Sequence, residues 1–595
     1  MRRRDTLALP AAALLPAGAA RAGAPKVLRV VFPTAETGFD PARVSDVYSA
    51  TVNAHIFEGL LQFDYLARPA RLRPRLAEAM PEVSDDHRVW TLRLRRGVLF
   101  ADDPVFKGQP RELVAEDFVY SLKRFADPAV KSPNWPSVQE LRVLGLAELR
   151  QKAIDGKRPF DYDTPIEGLQ ALDRYTLRFT LGRPRPRFAE NLAVGHTFGA
   201  MAREVVEGYG DRIMEHPVGT GAFRLASWRR SSQIVLERNP RHRQPPWDAM
   251  PGADDAEGQA ILQRLRGRTL PLVDRVEVSI IEESQPRWLS FLQRQTDLVV
   301  VPPEFVPQAM PGGRLAPHLA KKGLQAWRVL TSSTQLSFFN MEHPLVGGYT
   351  PEKVALRRAI FLSYDLQREI DLVYRGAAIR AQSIVNPHGT GYDPAFRSDA
   401  SVCSPARAKA LLDLYGYTDR DGDGWREQPD GQPLLIEMAT QADGLARQID
   451  EQWKKALDAI GVRVEFKPAK WPENLKAARA GKLMMWRVGS TSTLSDGQQA
   501  LQRLYGPESG QANIARFRLK AFDEVFDRLT LMADGPEREA VFAQAKRLAV
   551  AYAPYRAHLH QYADVVAHPW LVGYRRPAFG YEFWNHVDIL PHDDA

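Results

Sequence analysis

The residues best spaced for chemistry lie in the segment DRDGDGWREQPDG. Asp419, Asp421 and Asp423 put carboxylates at positions 1, 3 and 5 of a loop, with Gly424 at 6, Glu427 at 9 and Asp430 at 12. That is the oxygen-ligand spacing of a calcium loop. Position 12 of such a loop is normally a bidentate Glu, and Asp is shorter. The sequence that follows, QPLLIEM, reads as a strand and not as the second helix of a hand, so an Asp/Gly turn between a helix and a strand explains the segment equally well. His558 and His560 alternate on a predicted strand with Asp564 nearby, a possible metal pair or simply core or surface histidines. The single cysteine, Cys403, has no adjacent His and reads as a buried or inert thiol. No His-Glu-x-x-His, Gly-x-Ser-x-Gly, phosphate-loop or dinucleotide fingerprint occurs. No cofactor is expected. Carboxylates are too plentiful for sequence alone to exclude a glycosidase-type pair, but nothing marks one, and the chain does not read as an enzyme.

The start of the chain carries an address. Arg2, Arg3 and Arg4 precede a short Ala/Leu/Pro run that ends in Ala20, Arg21, Ala22. A charged start, a short apolar middle and an Ala-x-Ala end make a secretory signal peptide over residues 1–22. The run is shorter than the roughly 20 residues that span a bilayer, and the arginine pair resembles a twin-arginine export signal. The expected compartment is the periplasm. Removing the signal takes away four arginines and Asp5, which lowers the net charge from +8 to +5. Cations and anions are interspersed with no basic block, which argues against nucleic acid. One cysteine allows no intramolecular disulfide, so packing alone must hold the exported fold.

The elements that would position these residues alternate. KVLRVVF from Lys26 reads as a strand. Val47 to Leu61 has helical spacing. Val89, Thr91 and Arg93 alternate with Trp90, Leu92 and Leu94 before a turn at Gly97. Phe118, Leu122 and Phe125 share one face of a helix that Asp127-Pro128 ends. Gly219 and Gly221 introduce a hairpin where a Cβ would clash. Helix–strand alternation continues to the C-terminus, with no solenoid-period repeat and no low-complexity linker. Mixed α/β lobes hinged around a cleft follow from this pattern.

Several of these stretches, in order, resemble the extracytoplasmic solute-binding proteins of the peptide/nickel class (family 5) that serve ABC importers. They are FDPARVSDVYSATVNAHIFEGLLQFD, WTLRLRRGVLFADD, VAEDFVYSLKRFADP, HPVGTGAFRLASWRRSSQIVLERNPRH, LSFFNM and ARAKALLDLYGYTDRDGDG. The resemblance implies a two-lobed α/β periplasmic binding protein of type II (cluster C) with a small domain inserted near the N-terminus. Lobe I is expected from 23–60, 170–310 and 545–595, the small domain from 61–169 and lobe II from 311–544. It also implies a monomer that holds a short peptide or related compound between its lobes and delivers it to an inner-membrane ABC permease.

One departure bears on the guest. Peptide-binding members of the family often carry a Gly-Trp-x-x-Asp-like segment whose carboxylate meets the peptide's α-ammonium. Here Gly489 matches the glycine, Ser490 stands for the tryptophan and Thr493 for the aspartate. A hydroxyl accepts a hydrogen bond but does not neutralise a buried ammonium. A free amino terminus would then need another carboxylate. The hydroxyl row Ser490, Thr491, Ser492, Thr493, with Trp486 and Arg487 beside it, suits an oligosaccharide, an opine-like conjugate or an organic acid as well, and Arg487 could clamp a carboxylate. Tyr48, Asn340 and Arg380 complete the expected ligand-binding set. A periplasmic hydrolase remains the alternative of a different class.

Overall fold

The computed structural model describes residues 25–592, so the signal peptide lies outside the described residues. Three sheets organise the chain. In the first, the strands run in the order Val27–Phe32, Arg275–Ile280, Gln233–Arg238 and Phe223–Arg229. The first two pair in parallel, Val27 opposite Arg275. Leu28, Val30 and Phe32 point inward, as period-two alternation requires. A second four-stranded sheet joins Glu82–Val83, Val89–Arg93, Thr176–Thr180 and Leu169–Asp173. The helix Ala115–Ala126 buries Phe118, Leu122 and Phe125 against it. Both sheets share one continuous core that includes Leu28, Val276, Trp90, Phe118 and Phe179.

The helix is tied to the rest of this lobe by a buried charge pair. Arg124 donates to both oxygens of Asp40, at 2.7 and 2.8 Å. Asp40 also accepts from the Ala42 amide at 3.1 Å, so the predicted Phe39-Asp40-Pro41 turn and the helix are locked by one carboxylate.

The third sheet runs from the first lobe into the second, in the order Leu298–Val300, Tyr555–Ala567, Ser333–Phe339, Met485–Thr491, Leu435–Thr440 and Arg463–Pro468. Gln325–Leu330 and Ala378–Arg380 pair with the long strand Tyr555–Ala567. Cores lie on both faces of this sheet, one built on Phe339, Tyr364 and Trp453, the other on Phe338, Trp486 and Phe542.

These pairings bear on where the lobes divide. The strand Tyr555–Ala567 spans both lobes: its first half pairs antiparallel with Ser333–Phe339, while Ala563, Val565 and Ala567 join the first-lobe core. Leu298–Val300 pairs with the end of that strand, and Leu298 packs in the first-lobe core. The hairpin Leu169–Thr180 completes the small sheet, which extends past 169 because Thr176–Thr180 pairs with Val89–Arg93.

The second lobe encloses its own charge pair. Arg487 donates to both carboxylate oxygens of Glu369, one at 2.9 Å, and Tyr364 Oη donates to the same carboxylate at 2.6 Å. Arg487 is raised above the usual guanidinium range because that carboxylate outweighs the cost of burial. Removing one partner would leave the other charged and buried, which typically costs about 3–5 kcal/mol. Arg487→Ala is therefore expected to lower the thermal midpoint strongly, while the folded fraction keeps its guest affinity. Calorimetric unfolding and a binding isotherm on the same preparation check both halves of that statement.

Candidate functional site

A cavity lies where the lobes meet, with about 620 Å³ of atom-free space, part of it open to solvent. Its first-lobe wall includes Phe63, Asp64, Arg68 and His196, and the C-terminal residues Phe579, Tyr581 and Glu582. The second lobe contributes Thr493.

The wall from Gly573 to His586 has no regular secondary structure and is held by side chains. Tyr65 Oη donates to the Gly573 carbonyl at 3.0 Å and accepts from the Arg575 amide at 2.7 Å. Arg68 donates to the Arg576 carbonyl at 2.9 Å. His55 Nε2 accepts from the Phe583 and Trp584 amides, while Nδ1 faces the Thr51 carbonyl at 2.7 Å. That pattern requires a neutral ring with its proton on Nδ1, and burial lowers His55 to about 3. The ring stacks on Trp584 at 4.1 Å. Ser332 of the second lobe donates to the Ala578 carbonyl at 2.6 Å, so the wall is gripped from both sides.

Beneath it lies a four-membered ion cluster. Arg75 bridges Glu58, at 2.9 Å, and Glu582. Glu58 also takes Arg243 through both oxygens at 2.8 Å and Thr220 at 3.0 Å. The buried Glu58 is held well below the usual carboxylate range because its arginines outweigh desolvation. Gly219 and Gly221 let the neighbouring turn approach: a Cβ on Gly219 would stand 2.1 Å from the Ile56 carbonyl oxygen, and one on Gly221 2.5 Å from that of His55. The glycines are required by close approach, as the clash argument predicts.

Direct bonds join the lobes beside the cavity. The Ser495 amide and hydroxyl each donate to one oxygen of Glu190, both at 2.7 Å. Arg187 pairs with Asp534 and lies 3.4 Å from Asp496, and Arg183 lies 3.7 Å from Asp527. The side chains from the first lobe are mostly cationic and their partners on the second mostly anionic, so the edges attract. Asp496 itself is buried and pairs with Arg538 through both oxygens.

The structure places the expected ligand residues unevenly. Thr493 lines the cavity. Gly489 and Thr491 are exposed on their strand, and the Gly489 backbone opens onto Gln335. Ser490 is buried and accepts from Arg503 at 2.9 Å. Trp486 is fully buried beside Phe338, so it is core and no guest touches it. Arg487 cannot clamp a guest carboxylate because Glu369 already occupies its fork. Asn340 is consumed in a turn, donating to the Gly481 carbonyl and accepting from the Glu342 amide, both at 3.0 Å. Arg380 is exposed at the edge of the third sheet and donates to Gln367. Tyr48 is half-buried, packed on Phe32 at 5.0 Å near Arg287 and Arg576.

The metal candidates also make contacts with neighbouring groups. Asp419, Asp421 and Asp423 cluster at the surface, but Asp419 accepts from the Gly422 and Gly424 amides and Asp423 pairs with Arg463. Asp430 turns on the Gln432 amide and is outside that cluster. The segment forms an Asp/Gly turn that keeps the three carboxylates within 4.8 Å of one another. His558 is bonded to Ser337, His560 to Thr334, and Asp564 to Arg328, so the three do not converge. Cys403 is exposed, not buried; its thiol donates weakly to the Ser363 carbonyl and stays protonated, because partial burial and nearby Asp365 raise it.

His196, Tyr581, Glu582 and the Glu190–Ser495 contact were not anticipated. The only sequence trace of Tyr581 and Glu582 is an aromatic and glycine run near the C-terminus, AFGYEFWN.

Comparison with known proteins agrees with this architecture. The pattern of the bacterial extracellular solute-binding proteins, family 5 (middle), matches residues 71–512. Di/tripeptide-binding protein 2 of Pseudomonas aeruginosa is 26% identical over 561 residues, covering 89% of each chain. A probable deoxycholate-binding periplasmic protein of Escherichia coli is 26% identical over 548 residues, covering 90% of this chain and 88% of its own. Among solved structures, a periplasmic binding protein of Helicobacter pylori in complex with the peptide STSA superposes with a TM-score of 0.74 at 21% identity, covering 95% of this chain and 98% of its own.

The interlobe carboxylates carry a pH dependence. Desolvation raises Glu190 to about 7, with Asp496 adding to the rise and Ser495 and Arg187 opposing it. Glu508, facing Glu140 and Arg142, Arg183 and Arg185, is also raised to about 7 by burial. With the lobes apart, a solvated Glu titrates near 4.3. The closed form therefore binds more protons, and its advantage is complete below that ordinary value and lost as pH rises through about 7. Guest affinity is expected to increase as pH falls from 8 to 5.5, by at most about 1.4 kcal/mol per pH unit for each group. Glu190→Gln should reduce this slope and its combination with Glu508→Gln should flatten it, read by titration calorimetry across that range. By its sequence pattern and its two-lobed form, the chain belongs to the bacterial extracellular solute-binding proteins of family 5, as a periplasmic binding component of an ABC importer and not an enzyme.

Proposed function

We propose that the protein captures short peptides or closely related compounds between its two lobes and hands them, as a monomer, to an inner-membrane permease. The observation that carries this reading is the cavity walled by both lobes and flanked by direct bonds between them, a geometry that a guest can complete and hold shut. Its relatives include proteins named for di- and tripeptides. Under this reading the arrangement is type II (cluster C), and the small sheet around Val89–Arg93 is the domain inserted into lobe I. Thr493 is the expected ligand residue best placed to touch the guest, with Gly489 and Thr491 on the approach to it.

A non-peptide guest is the second reading. Phe63, Phe579 and Tyr581 give the cavity flat apolar faces, Thr493 stands where a carboxylate is common, and one relative is named for deoxycholate. Native mass spectrometry of the protein purified from its own envelope separates the two. One short peptide per chain is the expected adduct; an adduct without amide fragmentation would replace the leading reading with the second.

A further inference from the structure

Two acidic side chains line the interlobe cavity, and they differ in what remains free. Asp64 is saturated: Oδ1 accepts from the Leu66, Ala67 and Met250 amides at 3.0–3.1 Å, and Oδ2 accepts from Arg73 at 3.0 Å. Glu582 uses one oxygen, Oε2, for Arg75. Its Oε1 has no hydrogen-bond partner among the described residues and is not enclosed by protein, and the side chain is 20% exposed. A carboxyl group therefore lines the cavity with one oxygen left without a partner.

The other open groups are compatible with a cationic donor. The Thr493 and Tyr581 hydroxyls and the His196 ring line the same cavity and make no hydrogen bond to a described residue. Burial lowers His196 to about 4, so it is neutral at pH 7 and offers an acceptor nitrogen without a repelling charge. The lining cation, Arg68, is turned away: it donates to the Tyr65, Ala67 and Arg576 carbonyls, and Asp64 and Asp255 offset its charge. Burial and the nearby Glu58 raise Glu582 in spite of Arg75, so one arginine does not fully compensate it.

From this set of open acceptors we infer that Glu582 is the residue that selects a guest bearing a primary ammonium, with Thr493 receiving the same group from the opposite lobe. An ammonium has three donors and no acceptor, and Glu582, Thr493 and the Tyr581 hydroxyl together supply what it needs. Because Glu582 is held on the first lobe and Thr493 on the second, a cation between them also links the lobes. The inference deepens the peptide reading and rests on it.

The test uses a pool of synthetic tripeptides supplied in free-amine and N-acetylated forms, with retention on the full mature protein read by mass spectrometry. The wild type is expected to prefer the free-amine forms, and Glu582→Gln to reduce that preference by roughly 10- to 100-fold, the usual worth of a hydrogen bond to a charged group. Glu58 still partners Arg75 in this variant, so folding should persist, and a thermal melt verifies it. Adding Thr493→Asp to Glu582→Gln restores a carboxylate from the other wall and should restore the preference, even if the single variant is destabilised. Equal retention of both forms by the wild type, or an unchanged preference in Glu582→Gln, overturns the inference and leaves the peptide reading standing. Retention of neither form by the wild type overturns the peptide reading and the inference with it.

Discussion

A single strand ties the molecule together. Tyr555–Ala567 has 13 residues, enough to run roughly 43 Å, and its side chains serve four different cores. Tyr555 packs with Phe338 and Trp486, and Leu559 with the core on the other face of the third sheet. Ala563, Val565 and Ala567 belong to the first-lobe core, and Val566 to a smaller cluster around Phe291. Neither lobe can complete its interior without it. Because the strand belongs to both, the lobes can approach or separate only about the segments beside it. The chain that leaves it returns to the first lobe as the irregular wall of the cavity.

The cavity depends on how charge is managed beneath and beside that wall. Burying an ion without a partner is costly, and several of the deepest charges are paired: Arg124 with Asp40, Arg487 with Glu369, Arg538 with Asp496, and Arg75 with two glutamates, while Arg357 and Arg556 are satisfied by backbone carbonyls. Histidines are treated differently. His55, His196 and His558 are kept neutral by burial, so they contribute directed hydrogen bonds or open acceptors without a charge to compensate. At the lobe boundary two carboxylates, Glu190 and Glu508, are raised by their burial. Charge that is expensive only when the lobes meet makes closure reversible, and a binding protein must release what it captures.

The sequence disclosed the local elements and little of their assembly. Alternation at Val89–Leu94 and the shared face of Phe118, Leu122 and Phe125 correspond to observed elements, because each is fixed by neighbours in the chain. Domain boundaries are set by long-range pairing: nothing within Tyr555–Ala567 says which sheet it joins. Arg487 and Trp486 were expected to meet a guest because their strand leads to Thr493. Burial by Glu369 and Phe338, 118 and 148 positions earlier, reverses that expectation. The wall residues Tyr581 and Glu582 had no periodic signal at all, since hydrogen bonds to distant Tyr65, Arg68 and His55 shape them in place of a helix or strand.

The central claim is that a guest in the interlobe cavity brings two separately moving lobes into one arrangement. The lone, exposed Cys403 of the second lobe provides one natural labelling site, and Glu82→Cys on the exposed edge of the small sheet provides another. Pulsed electron spin resonance between nitroxides at these positions reports the interlobe distance directly. A broad distribution in guest-free protein that collapses on guest binding to one narrow population, at the spacing of the structure, is the predicted result. An identical distribution with and without bound guest would contradict capture by closure.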